Sequence, residues 1–438
     1  MATKTQRTAS LIGLMILVGG VLPPLAYWSA VGRVPSVTPR EARRLLNAPQ
    51  APYVLVDVRI PEEFAAGHLD GAENWPFGDI MAASLSDSIP ERLRGRRLLL
   101  VCESGIASAR AVLRLRKTAP SLETINVRGG MQAWIASLDM PDGGVGCKLR
   151  NAAGATADLP FRQSPKIEQW AILACLWLVK PSYMLLALAL ALILRREKSP
   201  DLVALRWGLV FFFIGEAFCY LNYFVFKDAS YLAEYLHSLG MVLSFAFAIF
   251  ALFDGLDRRI IKYSDPNQKC AAFGLCRFCF KYTDAPCGLK RLFLYLAPAC
   301  MILSFIPLTA QPHVVSYNTR ILWVFYNYSN PLVYQLFEIR CCPLFAIPLF
   351  TVAFTVLLFR KDDPVAPAKI FFSAGMGYLG FSMLRLFLFS PFRDNVVWFT
   401  FWEEITELIY VGGVAFVLWL FHRALLSRKK DETEGKES

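Results

Sequence analysis

Eight stretches of about twenty apolar residues, spread along most of the chain, decide what this sequence can fold into. They run over 10–30, 170–194, 207–226, 237–256, 292–310, 341–360, 369–390 and 400–422. Each is near the ~20 residues that a helix needs to cross a hydrocarbon core. Backbone polar groups in lipid must be satisfied within the protein, so such a chain folds as a helical membrane protein of about eight transmembrane helices. Composition agrees: of 438 residues 55% are hydrophobic and only 18% charged, too apolar for an ordinary soluble enzyme. The net charge of +11 is no nucleic-acid footprint, because the Lys and Arg residues lie between the apolar spans rather than in one patch. The expected partner is the lipid bilayer, with no nucleic acid.

Those basic residues set the orientation. Arg195, Arg196 and Lys198 follow the second span, and Arg258, Arg259, Lys262, Lys269, Arg277, Lys281, Lys290 and Arg291 follow the fourth. Arg360 and Lys361 follow the sixth, and Arg423, Arg428, Lys429 and Lys430 the eighth. The short loops on the other side hold only Lys227 and Arg393. By the positive-inside rule the basic loops are cytoplasmic. Residues 1–9 then form a cytoplasmic N-terminus and 10–30 an uncleaved anchor. Residues 31–145 form an exported domain, 146–168 a linker, 169–424 a seven-span module with a cytoplasmic loop at 257–291, and 425–438 a cytoplasmic tail. In a bacterium this is a multi-pass inner-membrane protein with a periplasmic domain. The aromatic stretch 311–340 is expected to lie along the outer interface as an extra helix.

The exported segment centres on Cys102-Glu103-Ser104-Gly105-Ile106-Ala107-Ser108, directly behind the strand-like run 97–101. A thiol at the end of a buried strand, a small-residue loop and then a helix predict a pocket whose backbone N–H groups point at the sulfur. Gly105 permits the turn, and the helix N-terminus favours a negatively charged sulfur. The plain alternative is a buried cysteine packing as a small hydrophobe.

The flanking motifs carry a family resemblance. Asp57-Val58-Arg59, Glu62-Glu63-Phe64, Gly67-His68-Leu69-Asp70-Gly71-Ala72-Glu73-Asn74, the cysteine loop and Gly129-Gly130-Met131-Gln132-Ala133-Trp134 follow in order. From about 36 to 138 the chain resembles a single rhodanese domain. The resemblance implies a small α/β fold with a mostly parallel sheet, Cys102 as sulfur-carrying nucleophile, and Asp57 and Arg59 as support. The longer, Arg-ended loop of the related phosphatases is absent. Many thiosulfate-using members place basic residues in the loop where this chain has Glu103 and Ala107. Glu103 repels a dianionic donor, and Arg110, one helical turn along, partly offsets it. The sequence therefore predicts poor use of thiosulfate. His68 is read as structural, and Cys147 either as a resolving thiol or as an unpaired linker cysteine.

A second chemical feature lies in the cytoplasmic loop. Cys270, Cys276, Cys279 and Cys287 have the spacing C-x5-C-x2-C-x7-C, on the side where disulfides are not expected. Four such thiolates suit tetrahedral zinc or an iron–sulfur cluster, which spacing does not separate. The alternative is free thiols or a redox pair at Cys276 and Cys279.

Ionisable residues inside the spans are the third feature. Glu216 falls mid-span, Arg385 near the outer end of the seventh span, and Glu403, Glu404 and Glu407 open the eighth, with 403 and 407 assigned to one helix face. Lys180 interrupts the second span. Such groups are costly in a bilayer and face an interior path or one another, unless they snorkel. Cys175, Cys219, Cys300, Cys341 and Cys342, in or at spans, read as apolar filler or, less simply, as a thiol relay.

The sequence thus predicts a membrane-bound sulfurtransferase-like protein. Cys102 takes sulfur from a sulfane donor as a persulfide and passes it to a thiol acceptor, coupled to the membrane module. Two other readings stand beside it: a transporter or sensor with a non-catalytic rhodanese-like fold, and an electron-transfer protein built on the four-cysteine site.

Overall fold

A computed structural model describes residues 4–23, 25, 34–48, 53–82, 89–103, 105–136, 149–150, 156–157, 161–225, 231–261, 288–309, 317–322, 324–327, 329–360, 364–392 and 395–421. The chain divides into a helical unit (Met1–Pro24, Lys166–Pro312, Phe337–Ser438) and an α/β unit (Leu25–Pro165, His313–Leu336). The helical unit opens with α1 (Lys4–Met15), prolonged by π-helical turns over Ile16–Val21.

In the α/β unit, β1 (Ser36–Val37), α2 (Pro39–Leu46), β2 (Tyr53–Asp57), α3 (Pro61–Ala66), β3 (His68–Leu69) and β4 (Glu73–Asn74) come first. They are followed by α4 (Phe77–Ala82), β5 (Arg97–Val101), α5 (Ile106–Thr118), β6 (Thr124–Val127) and α6 (Gly130–Ala136). Thr38 and Glu41 close a capping box at the start of α2, which fixes the turn out of β1. The main sheet has the order β1-β6-β5-β2-β4, and every pairing in it is parallel. A parallel sheet is covered on both faces, which explains the unbroken apolar run of β5. Leu98 and Leu100 pack with Val56, Val112 and Leu115 on one face. Leu99 and Val101 pack with Leu55, Val127 and Trp134 on the other.

Two segments differ from expectation. Residues 146–168 are more than a linker: β7 (Leu149–Arg150) and β8 (Thr156–Ala157) form a small sheet with β3, and β9 (Phe161–Gln163) joins a second. In that second sheet β9 runs parallel to β10 (Asn318–Ile321), which pairs antiparallel with β11 (Val324–Asn327). The stretch 311–340 therefore holds, ahead of a helix that starts at Ser329, a hairpin. Its signal was the period of two: Tyr317, Thr319 and Ile321 are buried while Arg320 is exposed. Ser164 and Thr319 share a buried hydrogen bond of 2.8 Å beneath the strands.

The helical unit continues with α7 (Lys166–Ala174), which passes through a π-helical turn into α8 (Lys180–Ile193), then α9 (Pro200–Phe224) and α10 (Tyr231–Gly255). After them come α11 (Gly288–Leu303), α12 (Phe305–Thr309), α13 (Ser329–Phe359), α14 (Val365–Phe392) and α15 (Val396–Phe421). Among the described residues six helical stretches are long and apolar enough to cross a membrane: Lys166–Arg196, Pro200–Phe224, Leu232–Gly255, Lys290–Thr309, Glu338–Phe359 and Val365–Phe392. The other two expected spans are a shorter apolar helix, Ala9–Val21, and α15, which carries Glu403, Glu404 and Glu407.

Glycines set the closest helix contacts. A Cβ on Gly240 would lie 2.6 Å from the Gly215 Cα, so α9 and α10 cross backbone to backbone. The first apolar helix packs into the same bundle: Gly20 meets Leu243, and the Tyr378 hydroxyl donates to the Gly19 carbonyl at 2.7 Å.

Candidate functional site

Cys102 follows the last residue of β5, the strand flanked by β2 and β6, at the carboxyl end of the parallel sheet. Ligands of open α/β sheets bind at that end. The helix begins earlier than the sequence reading placed it: α5 starts at Ile106, so Ile106, Ala107 and Ser108 are its first turn rather than loop. The connection is therefore very short. It turns at Gly105, whose φ of 81° lies in the left-handed region. A Cβ there would fall 2.7 Å from the Gly129 amide nitrogen, and one on Gly130 only 2.2 Å from the Cys102 carbonyl oxygen. That oxygen accepts from the Met131 N–H at 2.7 Å, so the start of α6 holds the cysteine backbone from behind.

The Cys102 thiol is 4% exposed. Its Sγ accepts from the Gly105 N–H at 3.1 Å and lies 3.3 Å from Ser108 Oγ. Among the described residues, the wide amide cradle expected over 103–108 reduces to one N–H and one hydroxyl at the N-terminus of a thirteen-residue helix. Ser104 lies outside the described residues.

Sequence reasoning missed the group behind Ser108. The Ser108 hydroxyl is 2.7 Å from Asn126 Oδ1, and Asn126 Nδ2 donates to Ser36 Oγ at 3.2 Å. Ser36 gives its own proton to the Val34 carbonyl at 3.1 Å, so its oxygen can only accept, and this orients the Asn126 amide. The Ser108 proton is thereby drawn to Asn126. Ser108 Oγ is left to receive a thiol proton, and its hydroxyl turns to Sγ when the sulfur is charged. The readable signal was an Asn between the apolar Ile125 and Val127 of the strand Thr124–Val127.

Asp57 and Arg59 stand at the end of the neighbouring strand. Arg59 grips the fully buried Asp57 through Nε (3.1 Å) and Nη2 (2.7 Å) and donates to the Gly67 carbonyl at 2.7 Å. Its Nη1 reaches Glu103 at 3.2 Å. Burial opposes the guanidinium's charge, but the Asp57 carboxylate outweighs it and holds Arg59 above its ordinary pKa. Arg59 is thus the cation that meets Glu103, whereas Arg110 points to solvent. Two carboxylates still face one guanidinium, so the Asp57–Arg59–Glu103 group is net negative. His68 stacks on Phe64 with ring centroids 3.9 Å apart, and its Nδ1 donates to the Phe64 carbonyl, a structural role.

In the helical unit Glu216, Arg385 and Glu407 are all buried and belong to two adjoining ionic groups. Lys180 lies 2.5 Å from Glu216 and 3.1 Å from Glu404. Arg385 pairs with Glu338 at 2.9 Å and with Glu403. On the eighth span Glu404 and Glu407 both reach the Tyr183 hydroxyl, and Glu403 pairs with Arg385. Helical spacing allows this, since positions i, i+3 and i+4 adjoin. Cys175, Cys300, Cys341 and Cys342 are buried free thiols, and Cys300 packs on Met376 sulfur at 3.7 Å. Cys147 and the four candidate metal ligands, Cys270, Cys276, Cys279 and Cys287, lie outside the described residues.

A family profile described as the rhodanese-like domain matches residues 38–137. The chain is 32% identical over 123 residues to the probable adenylyltransferase/sulfurtransferase MoeZ of Mycobacterium tuberculosis, covering 28% of this chain and 29% of that protein. It is 32% identical over 92 residues to the adenylyltransferase and sulfurtransferase MOCS3 of Drosophila ananassae, covering 20% of each. With the uncharacterized protein YqhL of Bacillus subtilis it shares 35% over 80 residues, 18% of this chain and 59% of that one. The chain thus spans less than a third of the length of the first two relatives. No solved structure matches it significantly. Residues 38–137 are a rhodanese-like domain, carried on one chain with six helices, among the described residues, that fit a multi-pass membrane protein.

Proposed function

We propose that this protein is a membrane-bound sulfurtransferase that carries sulfane sulfur as a persulfide on Cys102. The observation that carries this is the seat of the sulfur: a buried thiol at the N-terminus of α5, held by the Gly105 N–H and faced by the Ser108 hydroxyl. The charged Cys102 sulfur attacks the outer sulfur of a donor. A new sulfur–sulfur bond forms, and the donor's bond to that sulfur breaks, its electron pair leaving with the donor remnant. A thiolate acceptor then attacks the outer sulfur of the persulfide, and Cys102 departs again as thiolate. No oxidant enters or leaves. Because the Asp57–Arg59–Glu103 group is net negative, a persulfidated thiol of low charge suits this entrance better than dianionic thiosulfate.

The α/β unit stands on the periplasmic side of an inner membrane, with eight spans and a cytoplasmic C-terminus. The basic loops support the side, and the second small sheet supports an even number of crossings between its strands. Four of the six long apolar helices lie between β9 and β10 in sequence, and an even number of crossings returns the chain to the side it left. On spacing alone, the four loop cysteines hold zinc or an iron–sulfur cluster on the opposite side.

The test uses the full-length protein in detergent. After treatment with a small persulfide donor, mass spectrometry is expected to find one added sulfur on Cys102, and Cys102→Ser to lose both that mass and transfer to a thiol acceptor. Unchanged transfer by Cys102→Ser overturns the assignment. A donor that binds without leaving sulfur on Cys102 favours the sensor or transporter reading.

A further inference from the structure

We propose that Lys180, Tyr183, Glu216, Glu404 and Glu407 form a proton-binding site in the interior of the helical unit, where the carboxyls and the tyrosine hydroxyl share more protons than their charges alone supply. The five side chains come from α8, α9 and α15, and none is more than 4% exposed.

The argument is a count of protons. The Lys180 ammonium has three, and three acceptors surround it: Glu216 Oε2 at 2.5 Å, Glu404 Oε1 at 3.1 Å and the Tyr183 hydroxyl oxygen at 3.1 Å. The Tyr183 oxygen also lies 2.8 Å from Glu216 Oε2, 2.5 Å from Glu404 Oε2 and 2.7 Å from Glu407 Oε2. A phenol has one proton to donate. It satisfies one of these three oxygen–oxygen contacts; the oxygen already accepts from Lys180, so its one remaining lone pair takes a proton from a second carboxyl. At least one carboxyl of the three therefore carries a proton. Charge leads to the same place. Three carboxylates around one ammonium would leave a double negative charge buried among apolar helices, a state that protonation relieves.

A second observation is independent of those contacts. Glu216 Oε1 is fully buried, and among the described residues no donor reaches it. The nearest nitrogen, His237 Nδ1 at 3.4 Å, donates instead to the Gly215 carbonyl at 3.2 Å. His237 Nε2 meets Arg385 Nη2 at 3.2 Å, so both ring nitrogens are engaged away from Glu216 Oε1. Arg385 makes its ion pairs with Glu338 and Glu403, outside the five-residue site. Beyond these, the titratable groups facing the cluster are the thiols Cys175 and Cys219 and, on α10, Glu234, which accepts from Asn222. None is a cation.

The same geometry selects the ligand. Ligand atoms of Glu216, Glu404 and Glu407 lie within 4.8 Å of one another, close enough for a metal ion. The Lys180 ammonium, however, occupies the place between Glu216 and Glu404 and repels a divalent cation. An anion is refused by the carboxylate excess. What remains is the proton, bridging Tyr183 to the carboxyls of two helices. The membrane unit is accordingly a proton-binding device, and any anionic sulfur species it handles passes elsewhere.

The experiment is infrared difference spectroscopy on the full-length protein in lipid nanodiscs. A protonated-carboxyl C=O band is expected at neutral pH, shifted by deuterium exchange. Glu404→Gln or Glu407→Gln should remove the intensity of one carboxyl, while Glu62→Gln, an exposed position in the α/β unit, leaves it unchanged. Should the Gln variants fail to fold, Tyr183→Phe keeps the shape, removes the shared hydroxyl and must move the band. Three results overturn the proposal. One is the absence of such a band from the wild type, and another is a band indifferent to Tyr183→Phe and to the Gln variants. The third is a stoichiometric divalent metal whose chelation first creates the band.

Discussion

Ser108 is the residue on which the chemistry of the Cys102 seat turns, because its one proton has two claimants. Asn126 at 2.7 Å holds it in the resting state, and a charged sulfur at 3.3 Å must pull it away. The Gly105 N–H has no such competitor and donates in both states. Ser108→Ala removes the switchable donor and strands the Asn126 carbonyl oxygen, which the fixed amide orientation keeps pointing at the gap. A hydrogen bond to a charged group contributes roughly 1.5–3 kcal/mol, so sulfur transfer should fall about ten- to a hundredfold. The persulfide on Cys102 should still form, only more slowly, as single-turnover mass spectrometry would show. A loss as complete as that of Cys102→Ser would mean that Ser108 does more than donate one hydrogen bond. The cysteine was legible from its strand, its glycine and its flanking motifs. Asn126 was not, since it lies eighteen residues away and meets Ser108 only through the pairing of β5 with β6.

At the scale of elements, length and apolarity made the helices legible, and their contacts stayed hidden. The stretch 207–226 reads as a span without revealing that Gly215 and Gly240 let α9 and α10 touch through their backbones. That contact puts the His237 ring beside the Gly215 carbonyl and the Glu216 carboxylate. Likewise the carboxylates of 400–422 were visible, but which of them face Lys180 depends on the rotation of α15 against α8, a matter of packing. The hairpin at 318–327 was misread because its aromatic residues outweighed a short alternating pattern. The glycine contact is open to test. A Cβ on Gly240 would lie 2.6 Å from Gly215 Cα and 2.8 Å from the Phe211 carbonyl oxygen, both backbone atoms that cannot step aside. Gly240→Ala should therefore destabilise the helical unit by about 1–3 kcal/mol, seen as a lower thermal midpoint in detergent. Gly412→Ala, in α15 with nothing within 4 Å of the new methyl, should be neutral or stabilise by up to ~1 kcal/mol. Equal effects at the two positions would show that Gly240 is not a contact residue.

At the scale of the whole molecule the question is which side of the membrane each segment faces. One argument bears on the side, and a second bears only on the number of crossings. Basic residues collect in alternate loops, and β9 pairs with β10 across a sequence interval that holds four long apolar helices. The second argument owes nothing to charge: strands in one sheet lie on one side, and the four long apolar helices among the described residues have the parity that allows it. It also ties the chain after the rhodanese-like domain to the hairpin between α12 and α13, so any error in counting helices there must come in pairs. Impermeant thiol labelling can read the answer, but Cys102 is a poor reporter because only 4% of it is exposed. Exposed Glu62, in α3, is a better position for a reporter cysteine, with Lys430 in the C-terminal tail as its counterpart. In intact cells Glu62→Cys should add label over the parent chain at once, and Lys430→Cys only after the membrane is opened. If Lys430→Cys labels in intact cells and Glu62→Cys does not, the domain faces the cytoplasm. If both label, or neither does, the two ends lie on one side, and the number of crossings between them is even rather than odd.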